Sequence, residues 1–226
     1  MNQVIAINGS PRMERGHTHT LLDAFLQGMI EAGAETQTVY PSRLDLKPCA
    51  CGRLYCWNDK PGECCVKDDM QGLYPKLKAA DILVLATPVY IPLPGDMQHF
   101  INRLCPLLDP ALEMRAGRTR ARLREDVRIS KFVLVATSGW YEIGNMDTVV
   151  RIVRELAEDA SVEFAGALLR PHTSELKSGG MITPGGQSVL DAAHTAGCDL
   201  IRGGTMKPET LAAVSRPLIS LEDFMH

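Results

Sequence analysis

This sequence predicts a doubly wound α/β fold with a five-stranded parallel sheet, on three observations. Short continuous apolar runs recur along the chain, a helical pattern follows each, and no internal repeat or low-complexity tract breaks the alternation. A strand apolar at every position must be covered on both faces, as in a parallel sheet held between two helix layers. Five strand–helix units in succession then require right-handed crossovers onto one sheet. A length of 226 residues suits one such unit better than two separate cores.

Val4-Ile5-Ala6-Ile7 is the first strand, and Leu21, Leu22, Phe25, Leu26 and Met29 follow at helical spacing with Gly33 placed to stop the helix. A second strand is expected over Thr36–Tyr40, then a cysteine-bearing loop from Pro41 to Asp68. Asp69 to Ala80 reads as a helix that Pro75 should shorten or kink. Ile82-Leu83-Val84-Leu85-Ala86 is the third strand and Gly95 to Leu108 the third helix. Phe132-Val133-Leu134-Val135-Ala136 is the fourth strand, followed by a helix over Asp147 to Asp159. Val162 to Leu169 and Gln187 to Arg202 complete the set. Residues 206–226 read as a short helix and a tail belonging to the same unit as residues 1–205. Such a tail is expected to reach a neighbouring subunit.

Apolar residues at 45% and charged residues at 23% are ordinary for a globular chain and exclude disordered and fibrous classes. With 24 Lys+Arg against 27 Asp+Glu, the net charge of −3 argues against a nucleic-acid coat or an anionic membrane surface. No apolar run approaches the roughly 18 residues of a membrane span. Met1-Asn2-Gln3 lacks the basic flank of a secretory signal, so a cytoplasmic location is expected.

In a doubly wound sheet the ligand sits beyond the carboxyl ends of the strands, so those loops should carry the chemistry. The first, Asn8 to Thr20, has Gly9 for a sharp turn, hydroxyls at Ser10, Thr18 and Thr20, and the guanidinium fork of Arg12. It runs directly into a helix N-terminus, whose free N–H groups suit an anion. His17 and His19 stand at the helix start as cap and phosphate contacts rather than metal ligands. Neither G-x-G-x-x-G nor G-x-x-x-x-G-K-[ST] is present, so this loop suits a single terminal phosphate monoester. The loop after the third strand, Thr87 to Gly95, holds three prolines and Tyr90, with Pro88 and Val89 at its start. The loop after the fourth strand offers Ser138, Gly139 and Trp140, with Tyr141 beside them. An anion cradle and two aromatic-bearing loops at one sheet edge describe a flat phosphorylated cofactor, and FMN has that form.

These residues resemble the flavodoxin-like NAD(P)H-dependent FMN reductases, a family that includes the iron–sulfur flavoproteins. The first loop resembles the family's G-S-P-R…G-N-T…L-L phosphate loop, with His17 where Asn is usual. Thr87-Pro88-Val89-Tyr90 resembles its s/t-P-v-Y flavin loop. Met97 to Arg103 resembles its m-K-x-F-i-D-R helix, with Gln98 for Lys and Asn102 for Asp, and Asp68-Asp69-Met70 its D-D-M. Ser215-Arg216-Pro217-Leu218-Ile219 resembles the closing segment of one branch. The resemblance implies strand order 2-1-3-4-5, FMN as cofactor and NAD(P)H as co-substrate. It further implies a quinone-like, azo or protein electron acceptor, and a homodimer or tetramer with the flavin at a subunit boundary. A flavodoxin-type or iron–sulfur flavoprotein electron carrier without its own NAD(P)H oxidation is the alternative. The organic step would belong to the cofactor, so no catalytic acid or base is assigned. Asp68-Asp69 reads instead as a helix N-terminus, negative charge against the dipole.

Of seven cysteines, five fall between Cys49 and Cys65. Four thiolates can hold an iron–sulfur cluster or a zinc. The spacing here, C-x-C-x4-C-x7-C-C, departs from the family's C-x2-C-x2-C, and Cys49 and Cys51 would point to opposite sides of an extended segment. A cluster on Cys49, Cys51, Cys56 and Cys64 is therefore not the favoured reading; a thiol-rich loop beside the flavin is. Six arginines lie between Arg115 and Arg128. They read as a solvated insertion paired with Glu125, Asp126 and neighbours, in preference to an anion site for the 2′-phosphate of NADPH.

Overall fold

The computed structural model describes residues 1–226. The elements in chain order are β1 (Gln3–Asn8), α1 (His17–Glu31), β2 (Glu35–Val39), α2 (Tyr55–Asn58), α3 (Met70–Ala79), β3 (Ile82–Pro88), α4 (Gly95–Asn102), β4 (Leu108–Arg115) and β5 (Arg118–Leu123). They continue with β6 (Lys131–Thr137), α5 (Asp147–Ala160), β7 (Glu163–Arg170), β8 (Lys177–Ser178), β9 (Met181–Ile182), α6 (Pro184–Gly203), α7 (Pro208–Ser215) and α8 (Leu221–Met225). The central sheet has five parallel strands in the order β2-β1-β3-β6-β7. That is the expected 2-1-3-4-5 once the small hairpins are set aside.

Alternation along each strand divides the core in two. Ile5, Ile7, Leu83, Leu85, Phe132 and Leu134 face one layer and pack with Leu77, Met97, Phe100 and Val153. Val4, Ala6, Val84, Val133 and Val135 face the other and pack with Leu22, Phe25, Met29, Val189 and Ala196 of α1 and α6. Many of these side chains are fully buried, each contributing about 1.5–3 kcal/mol of transfer free energy. The helices α1 and α6 cross closely because Gly28 and Gly197 lack side chains: a Cβ at Gly28 would stand 1.9 Å from the His194 carbonyl oxygen.

Several expectations shift. The helix after β3 stops at Asn102, not Leu108, and Pro106 sits in the following 3-10 turn, where a continuing helix would lose a hydrogen bond. Pro75 neither shortens nor ends α3, which runs ten residues through it. The helix α6 begins at Pro184 because Thr183 caps it, its Oγ1 accepting from Gly186 N at 2.9 Å. The tail does not extend away from the chain. Val214 of α7 is buried in the α1–α6 layer, and residues 216–225 lie against the carboxyl ends of the chain's own strands.

The arginine-rich insertion is an antiparallel hairpin, β4–β5, docked on α5. Its partners come mainly from α5 rather than from Glu125 and Asp126. Arg120 reaches Glu155 and Asp159 at 2.7 Å each, Arg118 meets Glu155 at 3.2 Å, and Arg151 also pairs with Glu155. Only Arg124 turns to Asp126, at 3.7 Å, while Arg128 reaches Asp81 at 2.8 Å. These guanidinium groups are occupied by protein carboxylates, and such exposed pairs contribute about 0–1 kcal/mol each. No helix is long and apolar enough to cross a membrane.

Candidate cofactor cleft

The carboxyl ends of β1, β3 and β6 open into a cleft of about 480 Å³. Ser10, Arg12, His17, Thr18, Pro88, Val89, Tyr90, Ser138 and Gly139 all border it, so nine of the residues singled out in the sequence are brought together. Thr20 and Trp140 are not among its lining residues. The Thr20 hydroxyl donates to Gly16 O at 3.4 Å and accepts from Lys177 Nζ at 2.9 Å. Trp140 is exposed, its N–H donating to Ser138 Oγ at 3.0 Å.

Local bonding shapes the anion end. Helix α1 begins after Gly16 with no side-chain cap. The first backbone donor of the helix to find a partner is Thr20 N, on Gly16 O at 3.2 Å, which leaves the N–H groups of His17, Thr18 and His19 free. A Cβ at Gly16 would stand 2.8 Å from Ser10 Oγ, so the glycine lets the loop fold over the helix start. Thr18 is buried and shares a 2.7 Å hydrogen bond with Thr137 Oγ1. His17 Nδ1 lies 2.5 Å from the Thr173 carbonyl and must carry the proton there, which leaves Nε2 without one when the ring is neutral. Buried Asn8 accepts from Ser10 N at 3.0 Å, while its own Nδ2 has no protein partner. Three free amides, two buried hydroxyls and the Arg12 fork fit a phosphate monoester.

The ring end is built differently. Val89 N donates to Thr137 O at 2.8 Å and Tyr90 N to Pro92 O at 3.0 Å, so those amides are committed within the protein and side chains line this wall. A Cβ at Gly139 would meet nothing within 4 Å, which keeps the backbone open to a ligand. Gly9 serves packing rather than a turn: its Cβ position lies 2.6 Å from Met97 Cβ. Sequence reasoning missed Thr173, Ser174 and Phe224, which also border the cleft. Ser138 O holds Thr173 by accepting from its N–H at 3.0 Å and its hydroxyl at 3.2 Å.

Outside the cleft lining, two of the motifs meet. Arg103, 1% exposed, makes a bidentate pair with Asp68 at 2.6 and 3.0 Å. Asp68 also accepts from Lys47 N at 2.9 Å and Met70 N at 3.1 Å, so it anchors both ends of the cysteine loop in addition to starting α3. Burial acts to raise its pKa, but the guanidinium and the backbone N–H donors outweigh that and hold the carboxyl below the usual range. Asp69 holds the N-cap position of α3, as expected, but its carboxylate makes no cap bond and accepts instead from Asp45 N at 2.8 Å.

Seven free cysteines include a thiol the spacing did not reveal: Cys105, after α4, stands near Cys56. Burial is the main cause of a raised Cys56 thiol. Cys49 and Cys51 sulfurs lie 3.7 Å apart. Burial would raise Cys51, yet hydrogen bonds from Cys49, the Tyr55 N–H and Cys65 hold it below the ordinary thiol value. Cys51 is the hub of these thiols, with Cys49, Cys56 and Cys65 all close to it, and a separate set of potential ligands, Glu31, His194 and Cys198, converges on α1 and α6.

The family model described as NADPH-dependent FMN reductase matches residues 2–119, just over half of the chain. The chain belongs to that family. Within it, this FMN reductase family member is 37% identical over 90 residues to an iron-sulfur flavoprotein of Methanosarcina thermophila, a match covering 39% of this chain and 44% of that relative. The matched segment thus spans less than half the length of that protein. Among solved structures, an FMN-dependent NADH-azoreductase from Bacillus anthracis in complex with FMN superposes with TM-score 0.60 at 12% identity, covering 91% of this chain and 100% of the other. An NAD(P)H:quinone oxidoreductase from Methanothermobacter marburgensis gives TM-score 0.56 at 17% identity, covering 88% and 96%. At such identities the structures establish a shared fold.

Proposed function

We propose that this chain binds FMN in the cleft and passes reducing equivalents from NAD(P)H through the flavin to a quinone-like, azo or protein acceptor. The observation that carries the reading is the start of α1, where three free backbone N–H groups stand beside buried Ser10 and Thr18. The free amides of His17, Thr18 and His19 would hold the FMN phosphate, with Arg12 and the hydroxyls completing its charge-assisted contacts. Pro88, Val89, Tyr90, Ser138 and Gly139 would border the ring. The flavin, when bound, supplies the hydride and electron chemistry; the chain's residues orient it and set its polarity. Tyr90, Ile91 and Trp140 are exposed on the loops around the cleft mouth, which supports a homodimer or higher oligomer closing over it.

The test is a visible spectrum of the purified chain with added FMN, followed by anaerobic NADPH or NADH. Flavin bands that bleach rapidly with nicotinamide alone support the reductase. Bleaching that needs a donor protein would transfer the reading to an electron carrier. An iron–sulfur flavoprotein is the second reading, favoured by the nearness of Cys105 and Cys56 to the Cys49–Cys51 pair. Stoichiometric iron and acid-labile sulfide after anaerobic purification would establish it.

A further inference from the structure

The C-terminal segment lies outside residues 2–119, yet it helps to build the cleft. Its course is fixed by a buried cluster at the ends of β6 and β7. Arg170 is fully buried and has no carboxylate partner. Its Nη1 donates to Val214 O at 3.0 Å and Arg216 O at 2.8 Å, Nε donates to Pro171 O at 2.7 Å, and Nη2 contacts His172 Nε2. Leu218 N donates to the same His172 Nε2 at 3.2 Å, and Tyr141 OH to Ile219 O at 3.1 Å. A buried guanidinium is tolerable only while its hydrogen bonds are made, so Arg170 holds the segment in place. Ser220 then caps α8, accepting from Asp223 N at 3.0 Å, and α8 carries Phe224 to the cleft.

Phe224 packs against Tyr141 at 5.4 Å between ring centroids and meets His172 edge-on at 6.2 Å. Tyr141 and His172 are themselves stacked at 5.0 Å. Phe224 is thus supported by two rings while it borders the same space as Thr18, Tyr90 and Gly139.

We propose that Phe224 is a flavin-ring contact, supplied by a C-terminal strap that Arg170 and His172 hold against the chain's own sheet. The inference rests on the reading of the cleft as an FMN site. An aromatic ring gains most against another flat π-system, through offset or edge contacts.

Riboflavin carries the ring without the phosphate, and it separates the two ends of the site. Dissociation constants for FMN and riboflavin, from flavin fluorescence with the full-length chain, are compared across variants. Phe224→Ala is expected to weaken both ligands by the same factor, about tenfold. Phe224→Tyr should restore both, and Thr18→Ala should weaken FMN alone. Phe224→Leu keeps apolar volume in case the alanine variant unfolds, and it too should weaken both. Unchanged constants in Phe224→Ala or Phe224→Leu, or a loss confined to FMN, would overturn the ring contact while leaving the FMN reading intact. A wild-type chain that binds neither flavin would overturn the FMN reading and the ring contact with it.

Discussion

Two buried cations show how single residues fix loops, by opposite means. Arg103 is matched by a carboxylate, and removing one partner of a buried pair leaves an uncompensated charge. Asp68→Ala is therefore expected to cost about 3–5 kcal/mol in denaturant unfolding and to expose the cysteine loop to thiol reagents. Asp68 titrates below its unfolded value, so its contribution is complete above about pH 4 and is lost as pH falls through the folded pKa. Arg170 instead relies on carbonyls and on a neutral His172, whose Nε2 accepts from Leu218 N. Burial, then the Arg170 charge, depresses His172. With the folded pKa below the unfolded value of about 6.5, that stability is present above pH 6.5 and is lost as pH falls below it. His172→Asn, which tolerates the left-handed backbone at φ 35° and keeps an acceptor, should flatten the stability-versus-pH curve between about pH 7 and 5. An unchanged curve would remove His172 from the account.

Among the elements, what could be read in the sequence follows from how far each signal is local. Strands such as Ile82–Ala86 are apolar at every position, and no other arrangement buries them so well. The β4–β5 hairpin was illegible because Arg118, Thr119 and Arg122 leave neither face continuously apolar; α5 holds it by charge. Cys105 and Phe224 lie just past the motifs at Met97–Arg103 and Ser215–Ile219, which say nothing of either, and only the folded sheet brings them to the cysteine loop and the cleft. The phosphate loop was legible because turn, hydroxyls and helix start are contiguous, although Thr20 turns towards Lys177. The α1–α6 crossing gives an element-scale test. Gly28→Ala would gain up to about 1 kcal/mol of helix propensity, but its Cβ meets a backbone carbonyl at 1.9 Å that cannot yield. Separation of the helices should destabilise the fold by about 1–3 kcal/mol net of that gain. Gly72→Ala on α3, where the new Cβ meets nothing within 4 Å, should be neutral or stabilising in the same thermal melt.

For the molecule as a whole, the cleft joins parts of the chain that are distant in sequence: the β1 loop, the β3 and β6 loops, the Thr173 turn and α8. A ligand that touches all of them binds only the folded chain, so it must stabilise the fold by mass action. At one hundred times the dissociation constant the gain is about 2.7 kcal/mol. For a chain of this size that corresponds to roughly 5–10 °C in the thermal midpoint. FMN is expected to produce a shift of this order, riboflavin a smaller one at equal concentration, because it lacks the group that the start of α1 holds. Inorganic phosphate alone should give a small shift, abolished in Thr18→Ala. The pattern matters more than its size. If riboflavin stabilises as strongly as FMN, the free amides of His17, Thr18 and His19 contribute nothing to binding, and the α1 start is an uncapped helix end rather than a phosphate site.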